Sequence, residues 1–171
     1  YSQTIFLQSE INKANKIDKI SYYWDVPTVA STTTNWTVYM GHTPLSSFAS
    51  SNDWIPINEL TQVFNGDITL PATAGWIEIT LNTPFSYNNV DNLVIAVNAS
   101  GESIGNDDDY FHCTTYRNRA YRSLVCYQDS KGGKGIDPDE PPEGELIEGY
   151  PNIKFDFKED QPPLPVELTS F

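Results

Sequence analysis

The 171-residue sequence is poor in basic residues and in long apolar runs. It has 10 Lys plus Arg against 23 Asp plus Glu, which gives a formal net charge of −13. Because so acidic a chain offers little counter-charge to phosphate groups, nucleic acid and anionic membrane surfaces are poor candidates as partners. No run of 18 apolar residues occurs, so the sequence predicts neither a membrane span nor membrane insertion.

Catalytic motifs are also missing. The sequence has no Gly-x-Ser-x-Gly elbow, no His-Glu-x-x-His motif and no phosphate-binding loop. Only two histidines are present, His42 and His112, and they fall in separate strand-like segments. A histidine-centred triad stays open, but with 23 acids a close carboxylate pair carries little weight for a glycosidase. We therefore expect a protein that is not an enzyme.

Short segments of alternating apolar and polar residues run through the sequence. Turn residues such as Asn65-Gly66-Asp67 separate them, and no segment keeps helical spacing for three turns. This pattern predicts an all-β fold, a two-sheet antiparallel β-sandwich of jelly-roll-like type, in preference to a closed barrel. The nine predicted strands are Thr4 to Gln8, Ile17 to Trp24, Trp36 to Met40, Leu60 to Phe64, Trp76 to Leu81, Leu93 to Val97, Tyr110 to Tyr116, Tyr121 to Tyr127 and Ile153 to Phe157.

In two of these segments the pattern of apolar residues also predicts the position of the strand in its sheet. In Trp76 to Leu81 the apolar side chains alternate with polar ones, so one face packs on the core and Trp76 starts the polar-side row. Leu93 to Val97 is apolar throughout, as a central strand covered on both faces requires.

Two other segments break the pattern. Residues 137 to 148 hold six acids, three prolines and no base, which predicts a loop. The end of the chain is a proline-rich linker whose last residues alternate like a strand. We therefore predict a sandwich domain over residues 1–158 and a tail over 159–171. Val166, Leu168 and Phe171 could dock on this domain, or pair with a neighbouring domain or a second copy.

Several phrases between Ser2 and Phe157 carry a resemblance to a known family. They are Asn35 to Thr43, Asp53 to Pro56, Leu60 to Phe64, Gly75 to Leu81, Asp91 to Val97, Tyr121 to Leu124 and Pro151 to Phe155. Together they resemble a β-sandwich module of secreted and surface proteins of Bacteroidetes-type bacteria, often found beside fibronectin type III or adhesin domains. The resemblance implies an extracellular or cell-surface location and export by the type IX secretion route. It implies no catalytic residues.

The two cysteines suggest a disulfide. In a hairpin that turns at Asn118 to Tyr121, Cys113 and Cys126 lie opposite each other, within disulfide range. An extracellular context favours the bond, and the alternative is two reduced, buried thiols.

The same hairpin register predicts two faces. Phe111, Cys113, Leu124 and Cys126 would face the core, and the opposite face would be aromatic and rich in hydroxyl groups. Such a face suits sugar rings, although ordinary packing beneath a loop is the alternative. The predicted ligand-binding residues are Tyr110, His112, Tyr116 and Tyr127.

A structural calcium ion is the one cofactor that the sequence suggests. Asp107, Asp108 and Asp109 lie together near a glycine-bounded turn, and calcium takes six to eight oxygen ligands from such loops. Asp129 would join them, because it pairs with Tyr110 in the predicted register. A solvated acidic loop is the alternative, and the EF-hand pattern is absent.

Two functions agree with these features. The first is a non-catalytic extracellular module for adhesion or structural assembly, able to self-assemble through its C-terminal strand. The second is a carbohydrate-binding module that holds a secreted hydrolase on a polysaccharide.

Overall fold

A computed structural model describes residues 1–25, 32–100, 110–115, 120–127 and 136–158. These residues form twelve strands, one short helix and one 3-10 turn, which confirms the all-β prediction. Every one of the nine predicted segments contributes to a strand. The strands are β1 (Ser2–Phe6), β2 (Asn15–Asp25), β3 (Thr32–Thr43), β4 (Thr61–Leu70), β5 (Gly75–Tyr87), β6 (Asn92–Ser100), β7 (Tyr110–Phe111), β8 (Cys113–Thr115), β9 (Ser123–Val125), β10 (Glu145–Ile147), β11 (Gly149–Pro151) and β12 (Ile153–Phe157). The helix α1 spans Gln8–Ile11, and the 3-10 turn spans Ile57–Glu59.

Two large antiparallel sheets make the sandwich. The six-stranded sheet has the order β10-β9-β1-β6-β3-β4. The four-stranded sheet has the order β12-β2-β5, and β7 also pairs with β2. A third, two-stranded sheet joins β11 to β8.

The main core lies between the two large sheets. Strands β2 and β5 turn alternate apolar side chains inward, among them Ile20 and Ile79, while β3 and β6 supply Val38 and Ile95 from the opposite sheet. All four of these side chains are almost fully buried. Period-two alternation is therefore the feature that builds this layer.

Strand β6 is covered on both faces, as predicted for Leu93 to Val97. It lies between β1 and β3, and its residues from Leu93 to Ala96 are at most 1 % exposed. The face of the six-stranded sheet that points away from the main core packs against Phe48 and Ile55. Gln3 holds this covering segment, because its side-chain amide donates to the Ile55 carbonyl and accepts from the Ile55 N–H.

The prediction that the segments around Cys113 and Cys126 form one hairpin is wrong. β8 pairs with β11, and β9 pairs with β1 and β10, so the two segments belong to different sheets. Both cysteines are free in the structure; Cys113 is exposed and Cys126 is buried. The disulfide predicted from that register therefore does not form in this structure. The predicted register puts Ser123 on the hydroxyl-rich face opposite the core, but the residue is buried at 4 % exposure.

The proline-rich acidic segment is only partly a loop. Its residues 145–147 form β10, the edge strand of the six-stranded sheet. Acidic side chains are tolerated at such an edge, because one side of the strand faces solvent. Gly144, just before β10, allows the chain to pack closely, since a β-carbon there would lie 2.7 Å from the Trp54 ring.

Candidate functional site

Three aromatic side chains form a row on the outer face of the four-stranded sheet. Tyr23 on β2 is paired with Trp76 on β5, and their rings meet edge to face with centroids 5.3 Å apart. The His112 ring meets Tyr23 at 6.0 Å, again edge to face. Trp76 is 42 % exposed, an unusual condition for so large an apolar ring. We call Trp76, Tyr23 and His112 the aromatic row.

His112 is positioned by main-chain contacts where three segments meet. Its N–H donates to the Tyr23 carbonyl at 2.8 Å, and its carbonyl accepts from the Asn152 N–H at 2.8 Å. Its Nδ1 lies 3.0 Å from Oδ2 of Asp25. The backbone contacts fix the histidine between β7 and β8, while the carboxylate orients the exposed ring.

Basic side chains flank the aromatic row. The Lys154 ammonium on β12 lies 3.8 Å from the centroid of the Trp76 ring, a cation–π contact. Lys19 contacts Glu78 at 2.9 Å, and both of these side chains are exposed. The row is therefore a mixed aromatic and charged surface on a strongly acidic protein.

A cleft of about 400 Å³ begins at Trp76. Its apolar lining comes from core and edge residues, and its polar lining from a carboxylate, a hydroxyl, a phenol and an amide. The lining residues are Phe6, Glu10, Ile11, Trp76, Thr114, Tyr150, Asn152, Ile153 and Phe155. Trp76 thus belongs to both the aromatic row and the cleft.

Glu10 and Arg122 form an ion pair at one wall of the cleft. The two terminal nitrogens of Arg122 donate to the two oxygens of Glu10 at 2.7 and 2.6 Å, and the Arg122 side chain is only 4 % exposed. Its guanidinium also lies 4.0 Å from the centroid of the Tyr150 ring. Burial acts to raise the pKa of Glu10, but hydrogen bonds from Arg122 and from the Leu7 N–H, with the attraction of the Arg122 charge, hold it below its usual value. The carboxylate is therefore ionised at neutral pH.

Asn152 and Thr114 add neutral polar groups to the cleft. The Thr114 hydroxyl donates to the side-chain oxygen of Asn152 at 2.6 Å. This leaves the amide nitrogen of Asn152 as a donor and the Thr114 oxygen as an acceptor for a ligand. Both residues sit where β8 and β11 pair, beside His112.

Of the predicted ligand-binding residues, His112 and Tyr127 can be compared, and they lie beside different sheets of the described structure. His112 lies in the aromatic row, and Tyr110 pairs with Asp25 through its main chain on β7. Tyr127 is 82 % exposed but follows β9 in the other large sheet. Tyr116 lies outside the described residues.

The predicted calcium and assembly residues also lie outside the described residues. They are Asp107, Asp108, Asp109, Asp129, Val166, Leu168 and Phe171. Within the described part of the chain, no group of three or more His, Cys, Asp and Glu side chains is arranged to hold a metal ion.

Sequence reasoning found part of the site. Alternation in β5 placed Trp76 on the outward side of its strand, but did not show that Tyr23 lies beside it. Glu10, Tyr150 and Asn152 were missed, because each reaches the cleft through contacts with segments distant in the chain.

Comparisons with family models, with curated proteins and with solved structures each found no match to this chain. Among the described residues, no helix has the length and apolar character needed to cross a membrane.

Proposed function

We propose that this domain is a non-catalytic, extracellular or cell-surface adhesion module that binds polysaccharide through the aromatic row and the adjoining cleft. The observation that carries the proposal is Trp76. Its ring is 42 % exposed and joins a row of aromatic side chains to a cleft with polar walls.

Carbohydrate is the ligand class whose chemistry fits this combination. A sugar ring presents a flat C–H face, which packs on aromatic rings, and a rim of hydroxyl groups that both donate and accept hydrogen bonds. The Thr114 oxygen can accept from such hydroxyls, and the Asn152 amide can donate to them. An elongated site along Trp76, Tyr23 and His112 suits a chain of sugars better than a single ring.

Lys154 gives the site a preference for sugars that carry a carboxylate. Its ammonium covers one face of the Trp76 ring, so a neutral sugar that stacks there must displace it. A sugar that carries a carboxylate gains an ion pair with the same ammonium. We therefore propose that uronic-acid polysaccharides bind more tightly than neutral ones.

The single acid in the described lining of the cleft favours binding over hydrolysis. Glycoside hydrolysis commonly needs two carboxyl groups on opposite sides of the bond that breaks. Of the described residues that line the cleft, Glu10 is the only acid, and both of its oxygens are held by Arg122.

A glycan array followed by affinity electrophoresis tests this proposal. We expect saturable binding of a polysaccharide, weakened about tenfold or more by Trp76→Ala, because a central tryptophan commonly supplies much of the binding energy of a site. Lys154→Ala should lower the affinity for uronic-acid polymers more than for neutral ones.

Tyr127→Ala is the matched control. It removes another exposed aromatic ring from the other large sheet, and we expect it to leave glycan affinity unchanged. Loss of binding with Tyr127→Ala but not with Trp76→Ala would place the ligand at Tyr127 and not at the aromatic row. Absence of binding across the array would contradict the carbohydrate function.

A further inference from the structure

A second pocket, of about 230 Å³, lies between the two large sheets. The four-stranded sheet supplies Tyr22 and the adjoining β7 supplies Phe111, while the six-stranded sheet supplies Trp36, Ile95 and Val97. Ala99, Val125 and Pro151 also line the pocket. None of these residues lines the cleft beside Trp76.

The pocket reaches from the surface into the core. Ala99 is exposed, and Val125 and Pro151 are half-buried. Tyr22, Trp36 and Ile95 are at most 6 % exposed. Ala99, Val125 and Pro151 therefore lie at the mouth of the pocket. Tyr22, Trp36 and Ile95 form its inner wall.

Aromatic rings form much of the inner wall, and the half-buried Phe111 ring packs beside them. Tyr22, Trp36 and Phe111 meet in pairs at centroid distances of 6.2, 5.8 and 5.6 Å, each pair edge to face. Rings in this arrangement offer both edges and faces to a further planar ring.

Two polar groups on this wall make no hydrogen bond to a described residue, and of these two only the Trp36 indole nitrogen is a fully buried atom. The Trp36 indole N–H makes no hydrogen bond within the described part of the chain, and the side chain is 6 % exposed. The Tyr22 hydroxyl makes no hydrogen bond to a described residue, and burial alone raises the pKa of Tyr22. A buried donor without a partner costs free energy, which a ligand oxygen can recover.

We propose that this pocket binds a small planar aromatic molecule that carries one hydroxyl or carbonyl oxygen. A 150 Å³ apolar cavity accommodates benzene, so 230 Å³ accommodates a substituted ring or two fused rings. The ligand ring packs against Trp36 and Phe111, and its oxygen bonds to the polar groups of Tyr22 and Trp36. This binding does not depend on the proposed carbohydrate function.

Titration with 4-methylphenol and its isostere 1,4-dimethylbenzene tests the proposal. The two probes have nearly the same shape and differ by one hydroxyl group. Binding is followed by NMR of the indole N–H signals, with the Trp36 signal identified by its loss in Trp36→Phe. We expect both probes to shift this signal, and 4-methylphenol to bind about fivefold more tightly.

Three variants locate the binding. Tyr22→Phe should lower the affinity for 4-methylphenol about fivefold and leave that for 1,4-dimethylbenzene unchanged. Tyr23→Phe, which removes one hydroxyl group from the opposite face of the same strand, should change neither affinity for the two probes. Val97→Phe fills the pocket and should abolish binding of both probes, with a melting curve to verify that the variant is folded. An unmoved Trp36 signal with both probes would overturn the proposal, as would binding that persists in folded Val97→Phe.

Discussion

At the scale of single residues, the contact between Glu10 and Arg122 connects stability with the cleft. Arg122 is buried and also donates through Nε to the Ile5 carbonyl at 2.9 Å, so it joins helix α1 to strand β1. Removal of the carboxylate would leave a buried guanidinium without its counter-charge, which is costly. This pair therefore holds one wall of the candidate site in place.

The same pair predicts a pH-dependent contribution to stability. The folded-state pKa of Glu10 lies below its unfolded value of 4.5, so its stabilising effect is complete above that value and is lost as the pH falls through the folded pKa. Glu10→Gln should lower the free energy of unfolding by about 1–3 kcal/mol at pH 7. The difference from the wild type should shrink below pH 4.

Both predictions are checked by thermal melting at pH 7 and below pH 4, with Glu78→Gln as the control. Glu78 also has a basic partner, Lys19, but that pair is exposed to solvent and contributes little to stability. We expect this variant to melt close to the wild type at both pH values. A Glu10→Gln variant that behaves like Glu78→Gln at pH 7 would show that the Arg122 contact is not stabilising.

At the scale of strands, local pattern predicted the elements but not all of their partners. Alternation and continuous apolar runs depend on which faces of a strand are buried, so they located β5 and the central position of β6. Pairing depends on which distant segment supplies the facing hydrogen bonds. β8 and β9 are close in sequence, yet β8 pairs with residues 149–151 and β9 pairs with β1 and β10.

In the candidate site, too, local pattern predicts the direction of a side chain but not its distant neighbours. The outward direction of Trp76 follows from the alternation within β5, and the sequence contained that information. The position of Asn152 beside His112 depends on the chain leaving β11 for β12 at that point, where its N–H meets the His112 carbonyl. No local pattern carries such a contact, because it joins segments 40 residues apart.

At the scale of the whole molecule, the charge of −13 predicts a response to ions. Repulsion among the acids opposes the compact state, so added sodium chloride should raise the melting temperature. A calcium ion bound at Asp107, Asp108 and Asp109 would add stability that grows with the logarithm of calcium concentration. We expect a higher melting temperature in millimolar calcium than in EDTA at equal ionic strength.

A triple variant separates these two effects. Replacement of Asp107, Asp108 and Asp109 by Asn should remove the calcium response and keep the sodium chloride response. Identical melting curves for the wild type in calcium and in EDTA would contradict a structural calcium ion.

Assembly through the C-terminal segment is the last prediction, and it depends on an available sheet edge. Among the described strands, β5 forms a ladder only with β2, but its other side contacts β4, where the Asn65 N–H donates to the Asn82 side chain, so a strand added at this edge must fit beside β4. In an extended conformation Val166 and Leu168 would share one face and Phe171 would lie on the other, and such a strand could add to an edge of this kind on a second copy. A contact of this kind is head-to-tail, so when it does not close into a ring it extends into a filament.

We expect light scattering to show concentration-dependent oligomers of the full chain and monomers after deletion of residues 162–171. Replacement of Val166, Leu168 and Phe171 by Asp keeps the length of the tail and should have the same effect as the deletion. A full chain that stays monomeric, or oligomers that survive both changes, would exclude the tail as the assembling strand.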